Sequence, residues 1–154
     1  MRTTTRNINT ISLIRQLAQR DLYYFTPRLL ADLTEADLPQ VYRLVARLKR
    51  DGLVAEVENG KYLLLGIEPE RVLANPLFIA CHLVRPAYVS YWSALHFYGF
   101  TPQVPMTVLA ATTKKKRPLA FQQLRFQYVT VRPHKFFGYR RELVGGLPVL
   151  IADE

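Results

Sequence analysis

Apolar residues in the first third of the chain recur with helical spacing. Ile11, Ile14, Leu17 and Ala18 stand at i, i+3, i+6 and i+7, and predict a first helix from Thr10 to Arg20 with that face buried. Thr26 followed by Pro27 reads as an N-cap and first helical position. A threonine hydroxyl can accept an unpaired N–H, and proline lacks the N–H that a helix start leaves orphaned. A short second helix then carries Leu29, Leu30 and Leu33 and ends in Thr34-Glu35-Ala36-Asp37. A third opens at Asp37 or Leu38 with Pro39 in its first turn, buries Val41, Leu44, Val45 and Leu48, and stops at Gly52 after Asp51. Two short apolar runs, Leu53 to Val57 and Tyr62 to Leu65, flank Asn59-Gly60, a dipeptide that predicts a hairpin turn because both residues tolerate positive φ.

Beyond Gly66-Ile67-Glu68-Pro69-Glu70, which reads as a link, the pattern changes. Val72 to Leu83 predicts one helix or two short ones, interrupted at Asn75-Pro76. Tyr88 to Tyr98, stopped by Gly99, is apolar on most sides and predicts a largely buried helix. Val104 to Thr113 is β-like, with Val108 and Leu109 inside it. Phe121 to Val131 alternates in part through Leu124, Phe126, Tyr128, Val129 and Val131, and a hairpin or short crossover at Lys114 to Leu119 would join the two. Leu147 to Ile151, after Gly145-Gly146, predicts a further short strand. The expected class is α+β. Residues 1–66 have the helix, short helix, longer helix and hairpin order of a winged helix-turn-helix, and residues 67–154 form a small α+β domain with a helical layer on a sheet.

The 154 residues are 49% apolar, enough for a packed core and too apolar for a disordered chain. Residues 86–113 contain no Asp, Glu, Lys or Arg, which raises the question of a membrane span. Pro86, Gly99, Pro102 and Pro105 cut that stretch into pieces well short of the roughly 20 continuous apolar residues a spanning helix needs, so it predicts a buried centre. Met1 to Arg6 is polar and unlike a signal peptide, which makes the cytoplasm the expected location. A single cysteine, Cys81, leaves no internal disulfide and no multi-cysteine zinc site.

Twenty-one Lys and Arg against twelve Asp and Glu give a net charge of +9, a balance that favours anionic partners. The third helix shows where one could sit. Gln40, Arg43, Arg47 and Arg50 follow spacings of three, four and three and form one stripe away from the apolar seam, flanked by Tyr42 and Lys49. Guanidinium and amide groups on such an edge match the acceptor and donor pattern of bases in the major groove. Gln40, Arg43 and Arg47 are the candidate base readers. Arg28 near the start of the second helix, Lys49, Arg50, and Lys61 just past the hairpin tip are candidate phosphate contacts. The same stripe fits a solvated face, and residues 1–65 carry only ten basic against seven acidic residues, +3. Winged helices also serve as protein-interaction modules, so binding an acidic partner without DNA readout is the alternative.

Nine basic residues lie between Lys114 and Arg141 with no acidic residue among them: Lys114, Lys115, Lys116, Arg117, Arg125, Arg132, Lys135, Arg140 and Arg141. The segment predicts a second contact with a DNA backbone or an acidic protein surface, against the alternative of solvated loops and strand faces. No catalytic constellation emerges. Ser90, Ser93 and His96 have no orienting carboxylate nearby. Cys81-His82 lack the further ligands zinc needs. His134 follows Pro133 in a basic turn without a partner. Metal-dependent phosphoryl chemistry needs clustered carboxylates, and neither a P-loop nor a dinucleotide pattern occurs. The chain reads as a non-enzyme with no cofactor and no metal.

Tyr88-Val-Ser-Tyr-Trp-Ser-Ala-Leu-His-Phe-Tyr-Gly-Phe100, Gln103-Val104-Pro105, Ala111-Thr112-Thr113-Lys114 and Lys135-Phe136-Phe137-Gly138-Tyr139 together resemble the AbiEi antitoxins of type IV abortive-infection (toxin-antitoxin) systems, over residues 10–154. The resemblance implies a winged helix paired with a C-terminal antitoxin domain. It also implies binding to double-stranded DNA at promoter inverted repeats, repression of that promoter, and a nucleotidyltransferase toxin as functional partner. An inverted repeat implies two subunits or two molecules on spaced half-sites, so a dimer on DNA. In that family a sequence like Ala152-Asp153-Glu154 runs on into a Glu- and Lys-rich helix, which implies a short or truncated member here. No family motif carries the groove-reading positions, so Gln40, Arg43 and Arg47 rest on the helical stripe.

Overall fold

The computed structural model describes residues 8–153. In chain order these form α1 (Thr10–Gln19), β1 (Tyr24–Phe25), α2 (Pro27–Thr34), α3 (Leu38–Arg50), β2 (Val54–Glu58), β3 (Lys61–Leu64), α4 (Pro69–Leu73), α5 (Pro76–His82), β4 (Ala87–Val89), α6 (Tyr91–Phe97), β5 (Thr107–Thr112), β6 (Leu119–Phe121), β7 (Leu124–Thr130), a 3-10 turn (Pro133–Lys135), β8 (Tyr139–Val144) and β9 (Leu147–Ala152). The fold is mixed α+β with two sheets, and the chain divides into two compact units, one up to Glu70 and one from Arg71.

In the first unit each helix starts where a short polar side chain accepts a free backbone N–H. Asn9 Oδ1 accepts from Ser12 N at 3.1 Å, Thr26 Oγ1 from Leu29 N at 3.3 Å, and Asp37 Oδ1 from Gln40 N at 2.9 Å. Helix α2 ends because Glu35 turns left-handed, with φ 57°. One core holds the three helices together. Leu17, Leu30, Val41 and Leu48 are each 1% exposed or less, and burying one such side chain contributes about 1.5–3 kcal/mol. The expected face of α1 is rotated. Leu13 and Leu17 point into the core, Ile14 and Ala18 pack at its margin, and Ile11 is 60% exposed. Ile11 sits two residues from Leu13, about 200° around the helix, so the two cannot share a face.

The small sheet has the order β1-β3-β2, antiparallel throughout. Strand β1 adds two residues, Tyr24 and Phe25, that the apolar pattern does not mark as a strand. The hairpin forms at Asn59-Gly60, as expected, with Gly60 (φ 74°) at positive φ. The ladder steps from Glu56↔Tyr62 to Glu58↔Lys61, so Val57 is an extra residue, a bulge.

In the second unit the sheet order is β6-β7-β5-β4-β9-β8. Helix α5 covers one face. Phe78 and Ile79 are fully buried there, and the Tyr128 hydroxyl donates to Ala80 O at 2.6 Å. The 72–83 stretch breaks at Asn75, as expected. Asn75 Oδ1 accepts from Phe78 N at 3.1 Å, and its Nδ2 donates to Val144 O at 2.8 Å.

Two expectations for this unit are corrected. Residues 88–98 are not one helix. Ala87–Val89 form a strand between β5 and β9, buried on both faces, and the helix begins only at Tyr91. A short run that is apolar on both faces has no period to separate strand from helix. Helix α6 is not largely buried either: Ser93 and Ala94 are, while Tyr91, Trp92 and Leu95 are exposed. Of the hairpin or short crossover expected at Lys114 to Leu119, the structure has the crossover: β5 and β7 run parallel, and the chain passes through β6, which turns back onto β7. Strand β8 was not expected at all. Its Tyr-Arg-Arg-Glu-Leu-Val sequence has the charge typical of a sheet edge rather than an apolar run. Among the described residues no helix is long and apolar enough to cross a membrane.

Candidate nucleic-acid interface

Helix α3 is strongly two-sided. Val41, Leu44, Val45 and Leu48 form its buried seam, and the three- and four-residue spacings carry Arg43, Arg47 and Arg50 round to an exposed edge. Tyr42 is 59% exposed beside them. Gln40 lies at the inner margin of this edge and is half-buried. Arg47 Nη2 donates weakly to Thr10 Oγ1 at 3.5 Å, which ties the guanidinium to the start of α1. Among the described residues no carboxylate forms an ion pair with Arg28, Arg43, Arg47 or Arg50.

The other two candidate phosphate contacts are already paired. Lys49 Nζ lies 3.1 Å from Glu56 Oε2, and Lys61 Nζ lies 3.8 Å from Glu58 Oε2. Glu58 also accepts the Tyr24 hydroxyl. Glu56 Oε1 accepts from Gly60 N at 3.4 Å, at the hairpin tip. The Lys49 hydrogen bond, followed by the Gly60 N–H, holds the Glu56 carboxyl below the usual carboxylate range. The candidate interface is therefore an arginine edge on α3 bordered by a hairpin whose two glutamates each pair a lysine, Glu56 with Lys49 of α3 and Glu58 with Lys61 of β3. Sequence reasoning passed over Glu56 and Glu58. The available signal was two carboxylates on a strand facing the basic end of the preceding helix.

The basic segment of the second unit is contiguous in sequence and divided in space. Lys114, Lys115, Lys116 and Arg117 occupy the β5–β6 loop, Arg125 is exposed on β7, and Arg132 and Lys135 bracket the turn that follows. Arg140 and Arg141 lie on β8 at the far edge of the sheet. Strands β5, β4 and β9 separate β7 from β8, four strand spacings or about 19 Å. Arg140 Nε is 2.7 Å from Glu142 Oε1, and its guanidinium carbon sits 5.3 Å from the centre of the Tyr98 ring.

Four of the residues weighed for catalysis or metal binding, Ser93, His96, Cys81 and His82, have structural partners. Ser93 Oγ accepts from Leu109 N at 2.9 Å, and His96 Nδ1 lies 3.4 Å from Thr101 O. Both line a mostly apolar cavity of about 440 Å³ between α5, α6 and the sheet. The Cys81 thiol donates to Leu150 O at 3.3 Å and is pushed up to about 11 by burial. The His82 ring packs on Phe78 at 4.4 Å. Among the described residues no three His, Cys, Asp or Glu side chains converge as a metal site would require. Compared with known proteins, the chain matches no protein-family model and no curated sequence.

Proposed function

We propose that the first unit is a winged helix-turn-helix that reads duplex DNA, and that the chain is a transcriptional repressor of its own promoter acting as an antitoxin. One observation carries the DNA reading: a guanidinium edge on α3, exposed and, among the described residues, without carboxylate partners at Arg43, Arg47 and Arg50, on a helix fixed from behind by Val41, Leu44, Val45 and Leu48. Gln40, Arg43 and Arg47 read base edges, and Arg28, Lys49, Arg50 and Lys61 contact phosphate. Repression follows from occupying the promoter, with no bond made or broken. The antitoxin role, with a nucleotidyltransferase toxin as partner, rests on the resemblance of the Tyr88–Phe100 stretch and its companion motifs to AbiEi proteins, an analogy of sequence.

The experiment is a binding titration of the chain against its upstream promoter fragment and a scrambled duplex. Arg43→Ala or Arg47→Ala is expected to cost about 1–3 kcal/mol on the promoter and to relax the sequence preference at one base position, whereas Lys49→Ala weakens both duplexes alike. Unchanged affinity and preference in the two arginine variants removes α3 as the reading element.

A second reading, a protein-interaction module, is favoured by a different observation. Tyr91, Trp92, Leu95, Phe100, Val104 and Met106 are all exposed within one stretch of the second unit, an apolar surface of the kind that protein contacts cover. No retention of either duplex at low salt would leave this reading in place of the first.

A further inference from the structure

Strand β8 is the outer strand of its sheet among the described residues, and its backbone parity is fixed by its partner. The β8–β9 ladder pairs Tyr139↔Ala152 through Val144↔Leu147, and Gly138 O accepts from Asp153 N at 2.9 Å one step before it. In an antiparallel ladder every second residue exchanges hydrogen bonds with its partner. Residues 138, 140, 142 and 144 therefore turn their N–H and C=O groups toward β9, and Tyr139, Arg141 and Leu143 turn theirs outward. The side chains alternate too: Tyr139, Arg141 and Leu143 share one face of the sheet, and Arg140 and Glu142 the other. Leu143 is 70% exposed. The opposite edge, β6, is only three residues long.

We infer that β8 pairs antiparallel with β8 of a second copy of this chain, about a twofold axis through Arg141, so that the two six-stranded sheets become continuous. Outward-facing groups can meet only outward-facing groups, so the axis must pass through Arg140, Arg141 or Glu142. An axis at Arg140 sets that arginine against its own copy in the close, non-bonded type of pair, and an axis at Glu142 does the same for the glutamate. An axis at Arg141 instead sets Arg140 opposite Glu142 of the second copy, twice, and Tyr139 opposite Leu143, twice. Its one like-charge pair, Arg141 with its equivalent, falls in the wider, hydrogen-bonded type of pair, where two exposed side chains can splay apart. Charged residues normally keep an edge strand from pairing. Here Glu142 makes the pattern self-complementary, and this selects a second copy over an unrelated strand. The pairing does not depend on DNA binding, and it would bring two copies to an inverted repeat.

Sedimentation velocity of the full chain without DNA, from micromolar to several hundred micromolar, tests it. The wild-type chain is expected to pass from monomer to dimer as concentration rises. Glu142→Lys places like charges in both Arg140 pairs and weakens association about tenfold. Arg140→Glu combined with Glu142→Lys reverses both charges and restores the dimer. Arg141→Pro deletes only an outward N–H, so it abolishes the dimer while sparing the β8–β9 ladder. A wild-type chain that stays monomeric throughout overturns the inference. So does a dimer unmoved by Glu142→Lys, or a double charge reversal that fails to recover it.

Discussion

Replacing Glu56 with Gln separates DNA contact at the hairpin from a merely solvated surface. In the structure the Glu56 carboxylate holds Lys49 Nζ at 3.1 Å and takes the Gly60 N–H at 3.4 Å. A duplex approaching the C-terminal end of α3 would meet that carboxylate beside the lysine meant for its phosphate. The glutamine keeps the size and the acceptor for Gly60 and removes the charge, so the Lys49 contact with phosphate no longer breaks an ion pair and counts in full toward counterion release. Each phosphate neutralised adds about 0.9 to the slope of log affinity against log salt. Over a fourfold change in salt, about 50 to 200 mM, one added contact is worth a factor of about 3.5. The expected result is an affinity ratio of variant to wild type that rises about 3.5-fold on going from the higher salt to the lower, equally for promoter and scrambled duplex. The pair is exposed and should add little to folding, so a thermal melt should barely move. Lowering the pH to 5 should not mimic the substitution, because Lys49 and Gly60 keep the carboxyl ionised below its usual range. Parallel salt slopes for the two proteins would refute contact at this end of the helix.

The remaining expectations concern stability. Leu48→Ala removes a side chain that is 1% exposed from the core under α3 and should cost about 2–5 kcal/mol, read from urea unfolding; a loss under 1 kcal/mol would mean that α3 is not held by this core. Burial raises the Cys81 thiol from its ordinary 9.0 to about 11, so its neutral form favours the folded state. That contribution is complete below pH 9, falls as the unfolded chain ionises first, and is gone above about pH 11. Wild type should lose about 2 kcal/mol between pH 8 and 10.5 that Cys81→Ala does not, and parallel decline in the two proteins would count against the buried thiol.

The first unit was largely readable because its signals are local. Thr26-Pro27, Asp37 before Leu38-Pro39 and Gly52 each fix a helix end through backbone chemistry within a few residues, and the seam Val41, Leu44, Val45 and Leu48 is strictly periodic. What was missed there depends on distant partners. Strand β1 exists because Tyr24 and Phe25 meet Leu63 and Tyr62, and the facing of α1 is set by a core assembled from α2 and α3. The same division holds in the second unit. The Asn75-Pro76 break is local and was legible. Ala87–Val89 becomes a strand only because β5 and β9 flank it, and β8 becomes one only because β9 supplies its hydrogen bonds. At the interface, the sequence marked the cations but not the glutamates that pair Lys49 and Lys61, since those pairs depend on the fold of the hairpin.

The sheet topology also limits how the basic residues of the second unit can act together. Lys114–Arg117 follow the end of β5, and Arg132 follows the end of β7, which is parallel to β5, so these cations gather at one end of the sheet. Val89 pairs with both Ala110 and Ile151, so Ile151 and its partner Arg140 lie level with Ala110, two residues short of the end of β5. Arg140 and Arg141 are thus separated from the lysine loop across the strands rather than along them. On the DNA-reading proposal, Arg28, Lys49, Arg50 and Lys61 together account for a salt slope of at most about −3.6. A steeper slope draws on the second unit, and the lysine loop with Arg132 and Lys135 is the set able to supply it as a group. Arg140 is instead held by Glu142 and Tyr98, on the strand whose outward edge is the one matched to a second copy.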